Sequence, residues 1–537
     1  MKSLTKLMAM GLLSVGLASC SSDDENLPQG GTDFGGADKV YMSLNLSFPQ
    51  QRSATDDAAG QTPSDANPDF EVGVGLENQV NRMDIYLVDE ATKTVLATGF
   101  AVPGAGNSLV GADGNYTAQF DGQSLKASAS KQARVYVVCN GEGLGGEKDG
   151  VFAVTDVYPV ATQPWSPFVM SNAKKSDVVT LPTAQEMVTT HASKSNPFNL
   201  GVVEVERAAA RFDYMSKNVG DEYIIKNEDK DLVKVVLSHM ALANVSKSEY
   251  VYRHVGVSAS EDICIPEVAA KYVITPDWAS GTNYDLHQPI LVQFNDKNTG
   301  KYLSLKDPMR PQDNWNHATE PDRGDYKPMA YSSETTSASR SLEKQVTQVV
   351  FRGSLEPGAD LATENADLKA IFDNPSATDN LYAFGNKIYG TWEMVKTAAL
   401  AEGADNALTA AYKQAQAEAQ AAGDNVITNA IAVKANFTVY NKNPQTAKYD
   451  VYYYYANKHN VQVAEEGRLD AKMLYAVVRN NVYKLKVNNI LKYGHPFDPS
   501  GDPDPINPDE KVDPENVYFQ VGVKVLPWTV RVNDIEF

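Results

Sequence analysis

The chain has few cysteines and lacks the patterns that usually carry catalysis or cofactor binding. Its 537 residues include three cysteines, too few for a disulfide framework. The His-Glu-x-x-His, Cys-x-x-Cys and Gly-x-x-x-x-Gly-Lys-Ser/Thr patterns are missing, and none of its seven histidines pairs with another at zinc-ligand spacing. Carboxylates occur throughout, so no pair stands out as an acid and a base. The sequence therefore predicts a protein that is not an enzyme and binds no metal or other cofactor.

Positive charge and long apolar runs are also scarce. The chain has 48 Lys and Arg residues against 68 Asp and Glu residues, a net charge of −20. Such a surface repels phosphate backbones, so no nucleic-acid partner is expected. Beyond the N-terminal segment no run of about 18 apolar residues could cross a bilayer. The 42% hydrophobic residues are nevertheless sufficient for real cores.

The first twenty residues have the pattern of an export signal. Lys2 and Lys6 precede a short apolar stretch, Leu7–Ala18, and small residues then lead to Cys20. The segment Leu17–Cys20 resembles the bacterial lipobox, and this resemblance assigns a diacylglyceryl group to Cys20. The alternative is an ordinary secretory signal followed by an unrelated cysteine.

The remaining cysteines, Cys139 and Cys264, lie in apolar segments with strand character. Both are expected to be small core residues. Export allows a disulfide between them, although they belong to different predicted domains. Their pairing stays open.

Alternation with a period of two dominates the apolar pattern and predicts an all-β protein with small helical insertions. Helical patches are expected at Ala398–Ala422, Ser341–Val346 and Asp360–Phe372, the first rich in Ala, Glu, Gln and Lys. Short strands between Gly, Pro, Asn and Asp clusters favour β-sandwiches. The main strand candidates are Val40–Phe48, Met83–Leu87, Ala133–Cys139, Val202–Glu206, Leu232–Leu237, Thr347–Phe351, Ile431–Tyr440, Asp450–Tyr455 and Asn481–Val487.

The composition changes along the chain and predicts six segments. Two strand-rich blocks meet near residue 200, and a Pro-, Asp- and Asn-rich run follows His495. Such a run favours extended backbone and cannot form a core. The predicted segments are a signal peptide at 1–20, a propeptide with a removable strand at 21–52, domains at 53–200 and 201–494, a spacer at 495–515 and a terminal strand at 516–537.

The two ends of the chain carry apolar stripes of the same period. The N-terminal stripe is Val40, Met42, Leu44, Leu46 and Phe48. The C-terminal stripe is interrupted at Pro527, which cannot donate to a ladder, and consists of Val517, Phe519, Val521, Val523, Val525, Trp528, Val530 and Val532. A strand of this kind on a flexible spacer needs a partner groove. Removal of the first strand would leave a groove that a strand of like pattern from another copy fills, and about twenty spacer residues reach roughly 60 Å.

One arginine lies where proteolysis would separate the first strand from the rest. Arg52 follows the N-terminal stripe, and residues 53–69 are small, polar and acidic with no Lys or Arg. Exposed loops of this composition are preferred cleavage sites. Cleavage between Arg52 and Ser53 is therefore predicted, the alternative being a lone surface arginine. A head-to-tail contact between copies does not close and builds a filament.

Two other segments suggest binding sites. The tyrosines at Tyr452–Tyr455, with Trp392, suggest a sugar-stacking surface, although strand aromatics more often lie in the core. The oxygen-rich run at residues 498–509 suggests calcium, but it lacks the EF-hand pattern and its prolines favour a spacer.

Several segments together resemble the fimbrillins that build Bacteroidetes type V pili, in particular shaft subunits of the minor-fimbria type. The matching pieces, in order, are Leu17–Cys20, Tyr41–Pro49, Ala66–Asp69, Val205–Arg211, Val477–Tyr483 and Val523–Trp528, together with the Pro/Asp spacer. Between about residues 215 and 470 there is little match beyond strand character.

The resemblance implies two tandem transthyretin-like β-sandwich domains and a lipidated precursor at the outer membrane that becomes part of a cell-surface fimbrium. It implies removal of the N-terminal strand by an Arg-specific protease after Arg52 and polymerisation by donor-strand exchange, with a role in adhesion and biofilm formation. Its implied partners are other copies of the chain, accessory anchor and tip fimbrillins, that protease, and host or bacterial surface ligands. The alternatives are an anchored surface lipoprotein that binds carbohydrate, and a tip or anchor fimbrillin.

Overall fold

The computed structural model is mostly β-structure, and the part of the chain that it describes belongs to one compact unit, Asp38–Phe537. The described residues are 41–47, 71–72, 75–104, 109–112, 115–121, 131–148, 151–153, 157–159, 167–227, 229–246, 248–256, 263–264, 272–276, 303–305, 326–336, 346–374, 380–401, 405–423, 425–459, 475–497 and 519–529. The predicted all-β class with small helical insertions is confirmed.

The N-terminal sheet has nine strands. They are β1 (Tyr41–Ser47), β3 (Met83–Asp89), β4 (Val95–Ala101), β5 (Leu109–Ala112), β6 (Asn115–Asp121), β7 (Gln132–Cys139), β11 (Met170–Asn172), β12 (Val179–Thr180) and β13 (Phe198–Arg207). Their order is β4-β3-β7-β11-β13-β1-β6-β5, and β12 also pairs with β7. Apolar side chains from these strands form one core cluster, which includes Met42, Val135 and Val203, and others on β3, β4 and β7 belong to a separate cluster.

Two larger sheets follow in the C-terminal part. The first has the order β2-β30-β28-β14-β22, formed by β2 (Glu71–Val72), β14 (Ala210–Ser216), β22 (Lys327–Ser332), β28 (Asn481–Ile490) and β30 (Phe519–Thr529). The second has the order β15-β16-β23-β27-β29 with β21 beside β16, formed by β15 (Glu222–Asn227), β16 (Lys230–Ala243), β21 (Leu303–Ser304), β23 (Gln348–Pro357), β27 (Tyr449–Ala456) and β29 (His495–Pro496). Apolar side chains of β14, β15, β16, β22, β23, β27 and β28 form a second core cluster.

Short strand pairs complete the described β-structure. They are β8 (Glu147–Lys148) with β9 (Val151–Phe152), β10 (Val157–Pro159) with β17 (Ser248–Tyr250), β18 (His254–Gly256) between β19 (Ile263–Cys264) and β20 (Tyr272–Ile274), and β24 (Leu381–Phe384) between β25 (Lys387–Tyr389) and β26 (Thr438–Tyr440).

The helices are short, and five of the six described here begin at a side-chain cap. They are α1 (Ala184–Thr190), α2 (Leu361–Glu364), α3 (Ala366–Asp373), α4 (Trp392–Ala399), α5 (Ala407–Ala421) and α6 (Asn429–Lys434), with 3-10 turns at Gly75–Asn78 and Val219–Asp221. Thr183, Thr391, Asn406 and Thr428 each accept a hydrogen bond from a backbone N–H of the first turn, which satisfies a donor that the helix leaves open. None of the helices in the described ranges has the length and apolarity of a membrane span.

The C-terminal helices and the β24–β26 sheet form an insertion between β23 and β27 with a small core of their own. The predicted helical patch at Ala398–Ala422 corresponds to the end of α4 and to α5. The predicted strand Ile431–Tyr440 is wrong over its first half, because α6 begins after the Thr428 cap and only Thr438–Tyr440 forms a strand.

The N-terminal sheet passes directly into the C-terminal sheets. Strand β13 ends at Arg207, the buried pair Ala208 and Ala209 follows, and β14 begins at Ala210. The predicted domain division at residue 200 falls inside β13, which lies wholly in the N-terminal sheet.

Cys139 is fully buried in β7 and is a free thiol, and burial raises its pKa. Its predicted place as a small core residue in a strand is confirmed.

Candidate strand-exchange site

Strand β1 has a neighbour on each side. It pairs antiparallel with β6, from Tyr41 opposite Asp121 to Leu46 opposite Tyr116, and parallel with β13, from Met42 opposite Phe198 to Ser47 opposite Glu204. The backbone N–H of Tyr41 also donates to the carbonyl of His191 at 2.9 Å. Because β1 is an interior strand, its loss would leave two unpaired strand edges facing each other.

The alternating side chains of β1 point into the N-terminal core. Met42 and Leu44 have no exposed surface and Leu46 has 2%. At about 1.5–3 kcal/mol for each fully buried side chain, these three contribute roughly 5–9 kcal/mol before ordering costs. That amount is comparable to the whole stability of an ordinary domain. The groove that holds β1 is therefore both apolar and lined by hydrogen-bonding edges.

A glycine sets the register of this groove. The β1–β13 pairing shifts between Asn199 and Val202, where β13 carries one extra residue. Gly201 adopts φ +86° at this bulge, a conformation that an L side chain rarely takes. The Asn199 side chain accepts a hydrogen bond from the Gly201 N–H at 2.9 Å, which fixes the bulge. The groove consequently accepts a strand in one register.

The structure describes only part of the predicted N-terminal site. Met42, Leu44 and Leu46 lie on β1 as the alternation predicts. Several predicted residues lie outside the described part of the chain. They are the stripe members Val40 and Phe48, the predicted lipidation residue Cys20, and the predicted cleavage residues Arg52 and Ser53.

The C-terminal strand β30 is paired within its own chain. It runs antiparallel to β28, from Phe519 opposite Ile490 to Pro527 opposite Asn481. On its other side, the pairing seen among the described residues joins its last two residues to β2, Trp528 with Glu71 and Thr529 with Val72. Strand β30 therefore has a full neighbour along one edge and a short neighbour along the other.

The predicted donor stripe coincides with β30 over Phe519, Val521, Val523, Val525 and Trp528. Its members Val517, Val530 and Val532 lie outside the described residues. The strand continues through Pro527 to Thr529, and its pairing with β28 ends at Pro527.

The first residues of the predicted spacer are packed. Strand β29, His495–Pro496, pairs with Tyr452 and Val451, and Phe497 has 7% exposed surface. Residues 498–515 lie outside the described part of the chain, so the spacer and the calcium reading stay predictions.

Charged side chains are buried where the two sheets meet. Arg211 forms a bidentate ion pair with Asp213, with N–O distances of 2.7 and 3.0 Å. It also donates to both carboxylate oxygens of Glu77, at 3.0 and 3.1 Å. The Tyr331 hydroxyl donates to Glu77 at 2.6 Å. Arg207 donates to the Glu77 backbone carbonyl at 2.8 Å.

Burial lowers the pKa of Arg207 to about 9, and the Glu77 carboxylate opposes that shift. Arg207, Arg211, Glu77 and Asp213 have no exposed surface. These four residues are called the arginine junction below. They join β13, β14 and the turn Gly75–Asn78, so loss of one partner would leave a buried charge without compensation.

A second buried ionic cluster lies beside the first. The Arg479 guanidinium donates to Glu334 at 3.2 Å and to the Tyr250 carbonyl at 2.8 Å, and it lies 3.5 Å from Glu249. Burial raises the pKa of Glu249 to about 7 and outweighs the opposing effect of Arg479. Arg253 pairs with Glu206 of β13, which ties this cluster to the N-terminal sheet.

The sequence shows some members of both clusters as unusual residues, but it does not show which side chains contact each other. Arg207 and Arg211 stand out as charges inside an apolar run, and Arg479 follows two valines in the same way. Glu77 carries no such signal, because it lies 134 residues from Arg211.

The described residues do not support the interpretation of a sugar-stacking surface or of a metal site. Tyr452 and Tyr453 are buried in β27, whereas Tyr454 and Tyr455 are half-buried. Trp392 packs against Tyr382, Tyr412 and Phe437 in the small insertion. Among the residues that the structure describes, no group of three or more His, Cys, Asp or Glu side chains could hold a metal ion.

Comparison with known proteins identifies the C-terminal part. Residues 448–534 match the family model for the C-terminal region of fimbrillin, described as major fimbrial subunit protein type IV. No curated protein sequence matches the chain.

Several solved structures are similar over most of the chain at low identity. A protein of Parabacteroides distasonis named for cell adhesion is 12% identical, with 91% of this chain and 97% of that chain covered and a TM-score of 0.35. The tip fimbrial protein Mfa3 of Porphyromonas gingivalis, truncated at its C terminus, is 11% identical, with 91% and 100% covered and a TM-score of 0.34. These TM-scores are too low to support an argument.

The matched region contains β27 and β28 and includes the strand pair β28–β30 described above. On this match, the C-terminal part of the chain, residues 448–534, is similar to the C-terminal region of fimbrillins.

Proposed function

We propose that this protein is a fimbrial shaft subunit that polymerises when a protease removes β1 and the C-terminal strand of another copy takes its place. The observation that carries the proposal is the interior position of β1, with Met42, Leu44 and Leu46 buried between β6 and β13. Excision of an interior strand creates a groove that only another strand can satisfy, through main-chain hydrogen bonds and alternate side-chain pockets.

Cleavage between Arg52 and Ser53 is the triggering step. It separates the lipidated N terminus and β1 from the rest of the chain, so β1 is no longer held by covalent attachment. Loss of β1 uncovers the apolar groove, at a cost of roughly 5–9 kcal/mol for the three described side chains. The cleaved subunit is consequently primed to accept a strand.

Strand β30 supplies the donor. Within the described part of its own chain it has β28 along one edge and a two-residue pairing with β2 along the other, whereas the groove of β1 offers β6 and β13 on both sides. Transfer into the groove of another copy therefore exchanges pairing that is mostly one-sided for two-sided pairing. Because each copy has one groove and one outgoing strand, the contact repeats head to tail and forms a filament.

Location and partners follow from this mechanism. The precursor is lipidated at Cys20 and carried to the outer membrane, and the processed subunit becomes part of the cell-surface fimbrium. Its partners are other copies of itself, accessory anchor and tip fimbrillins and an Arg-specific protease. Surface ligands of host or bacterial cells are the targets of the assembled fimbrium in adhesion and biofilm formation. The role is structural and assigns no catalysis to the chain.

N-terminal sequencing of sheared surface filaments tests the processing step. The expected first residue is Ser53, and the Arg52→Ala variant should remain an unpolymerised precursor. Arg52→Lys separates an Arg-specific protease, which it should block, from a protease of trypsin-like specificity. Filaments that begin at lipidated Cys20 would contradict the proposal and favour the permanently anchored surface lipoprotein.

A truncated chain tests the donor. Deletion of residues 516–537 should give a protein that still accepts a strand after cleavage but cannot supply one, so it should cap filaments when mixed with the full chain. A matched control that lacks only residues 533–537 keeps β30 and every residue of the predicted donor stripe, and it should elongate. Elongation by the longer deletion alone, seen as heat-stable ladders on a gel, would contradict the donor assignment.

A further inference from the structure

The chain just after the predicted cleavage loop is attached to the body at two places. Glu71 and Val72 form β2, which pairs in parallel with Trp528 and Thr529 at the end of β30. The turn Gly75–Asn78 begins three residues later. The same short segment therefore contacts the C-terminal strand and the arginine junction.

The second attachment is a buried charge. Glu77 has no exposed surface. Both of its carboxylate oxygens accept hydrogen bonds from Arg211, and one also accepts a hydrogen bond from the Tyr331 hydroxyl. The neighbouring Asn78 accepts a hydrogen bond from Arg207, whose Nε donates to the Glu77 carbonyl. Withdrawal of Glu77 would leave two buried arginines opposite one carboxylate, so this attachment is the strong one.

The attachment of Glu77 in the arginine junction limits how far β2 can move from β30, because the chain between Glu77 and β2 is short. Glu77 lies five positions after Val72, and five residues span at most about 18 Å. While Glu77 is in place, β2 therefore stays close to the end of β30 and re-forms its pairing readily after each opening. Cleavage at Arg52 leaves both attachments intact, because it occurs upstream of them.

In the proposed function, β30 must leave its own sheet before it enters another copy. The inference about β2 rests on that proposed function. We propose that β2 is a clasp on the C-terminal strand, anchored by Glu77 in the arginine junction, and that strand exchange proceeds only when the clasp opens. The clasp keeps β30 on its own chain after proteolysis until an acceptor groove is available. It thereby limits premature aggregation through a free strand.

A reversible cross-link tests whether the clasp must open. Neighbouring strands lie about 4.8 Å apart, a separation that a disulfide can bridge, so Val72→Cys combined with Thr529→Cys should lock β2 to β30. After cleavage the oxidised double variant should form no filaments, and reduction should restore assembly at the rate of the unmodified chain. The single variant Val72→Cys, treated identically, is the control.

The outcomes of this experiment separate the two proposals. If the oxidised double variant, verified as cross-linked within one chain on a non-reducing gel, assembles at the rate of the reduced form, the clasp is refuted. If the cleaved natural sequence forms no filaments under any condition, the proposed function fails, and the clasp fails with it.

Hydrogen exchange on the uncleaved chain tests the anchor without polymerisation. Glu77→Gln should accelerate amide exchange at Trp528 and Thr529 at least about tenfold, since charge-assisted hydrogen bonds are lost, and should leave Tyr41–Ser47 unchanged. Glu364→Gln, which removes a carboxylate from the exposed pair with Lys230, is the control and should change neither. Unchanged exchange at the end of β30, or equal acceleration in every strand, would refute the role of Glu77 as the anchor of a clasp.

Discussion

Truncation of one side chain on β1 should weaken the precursor and leave the filament unaffected. Leu44 has no exposed surface, and β1 is held between β6 and β13, so the surrounding strands have little freedom to close a cavity. Leu-to-Ala changes at such positions cost about 2–5 kcal/mol. With about 3 kcal/mol for Leu44→Ala, the opening equilibrium of the N-terminal core should shift roughly a hundredfold.

The assay compares two states of the same variant. Guanidinium denaturation of the uncleaved chain should show the loss, whereas detergent and heat resistance of filaments grown from cleaved Leu44→Ala should equal that of the natural sequence, because β1 is no longer present. Asn45→Ala, at an exposed position on the same strand, removes no core side chain and should cost the precursor no more than about 1.5 kcal/mol, the value of one hydrogen bond.

Two results would refute this reasoning. A loss below about 1 kcal/mol in the precursor would mean that Leu44 does not pack in the core as described. An equal loss in the filament would mean that β1 is retained after assembly, and the strand-exchange proposal would fall.

Three further predictions concern the described residues. Gly201→Ala should lower the thermal stability of the precursor by only about 1–2 kcal/mol, because φ is +86° but nothing lies within 4 Å of the added Cβ; a loss above about 3 kcal/mol would contradict this. Arg211→Met should cost about 3–5 kcal/mol in denaturant titrations, since Glu77 and Asp213 lose their cation, whereas the control Arg82→Met, which breaks a partly exposed pair, should cost less than about 1 kcal/mol. Burial raises the folded-state pKa of Glu249 from 4.5 to about 7, so the folded state keeps a proton that the unfolded state loses. Stability should therefore fall as pH rises from about 5 to about 7 and then level off; Glu249→Gln should remove this slope in denaturation midpoints, and an unchanged slope would assign it to other groups.

The alternating pattern predicts the two end strands well because a strand buried on one face repeats every two residues. Met42, Leu44 and Leu46 follow that rule, and Phe519–Thr529 forms a strand where the rule places one. The rule fails at Ile431–Tyr440, a short apolar run that suits either period. There the Thr428 cap and the burial of Ile431, Ala432 and Ala435 belong to a helix, and Val433 is 57% exposed.

The pairing of distant segments lies beyond such patterns. Two-residue β2 has too little sequence to show an alternation, and its partner follows more than 450 positions later. The Glu77–Arg211 contact depends on how two sheets meet, which local propensity does not specify. The arginine junction and the clasp therefore come from the tertiary structure alone.

The direct passage from β13 through Ala208 and Ala209 into β14 would have a mechanical consequence in the proposed filament. Strand β13 lies beside the β1 position, β14 lies beside β28, and both pairings are parallel. Tension applied between the β1 position and β28 would therefore pass along the continuous polypeptide Phe198–Ser216. It would load the pairing of β13 with the strand at the β1 position, and the pairing of β14 with β28, in shear. Many hydrogen bonds must then break together, and covalent bonds rather than an interface between domains connect the two ends of each subunit.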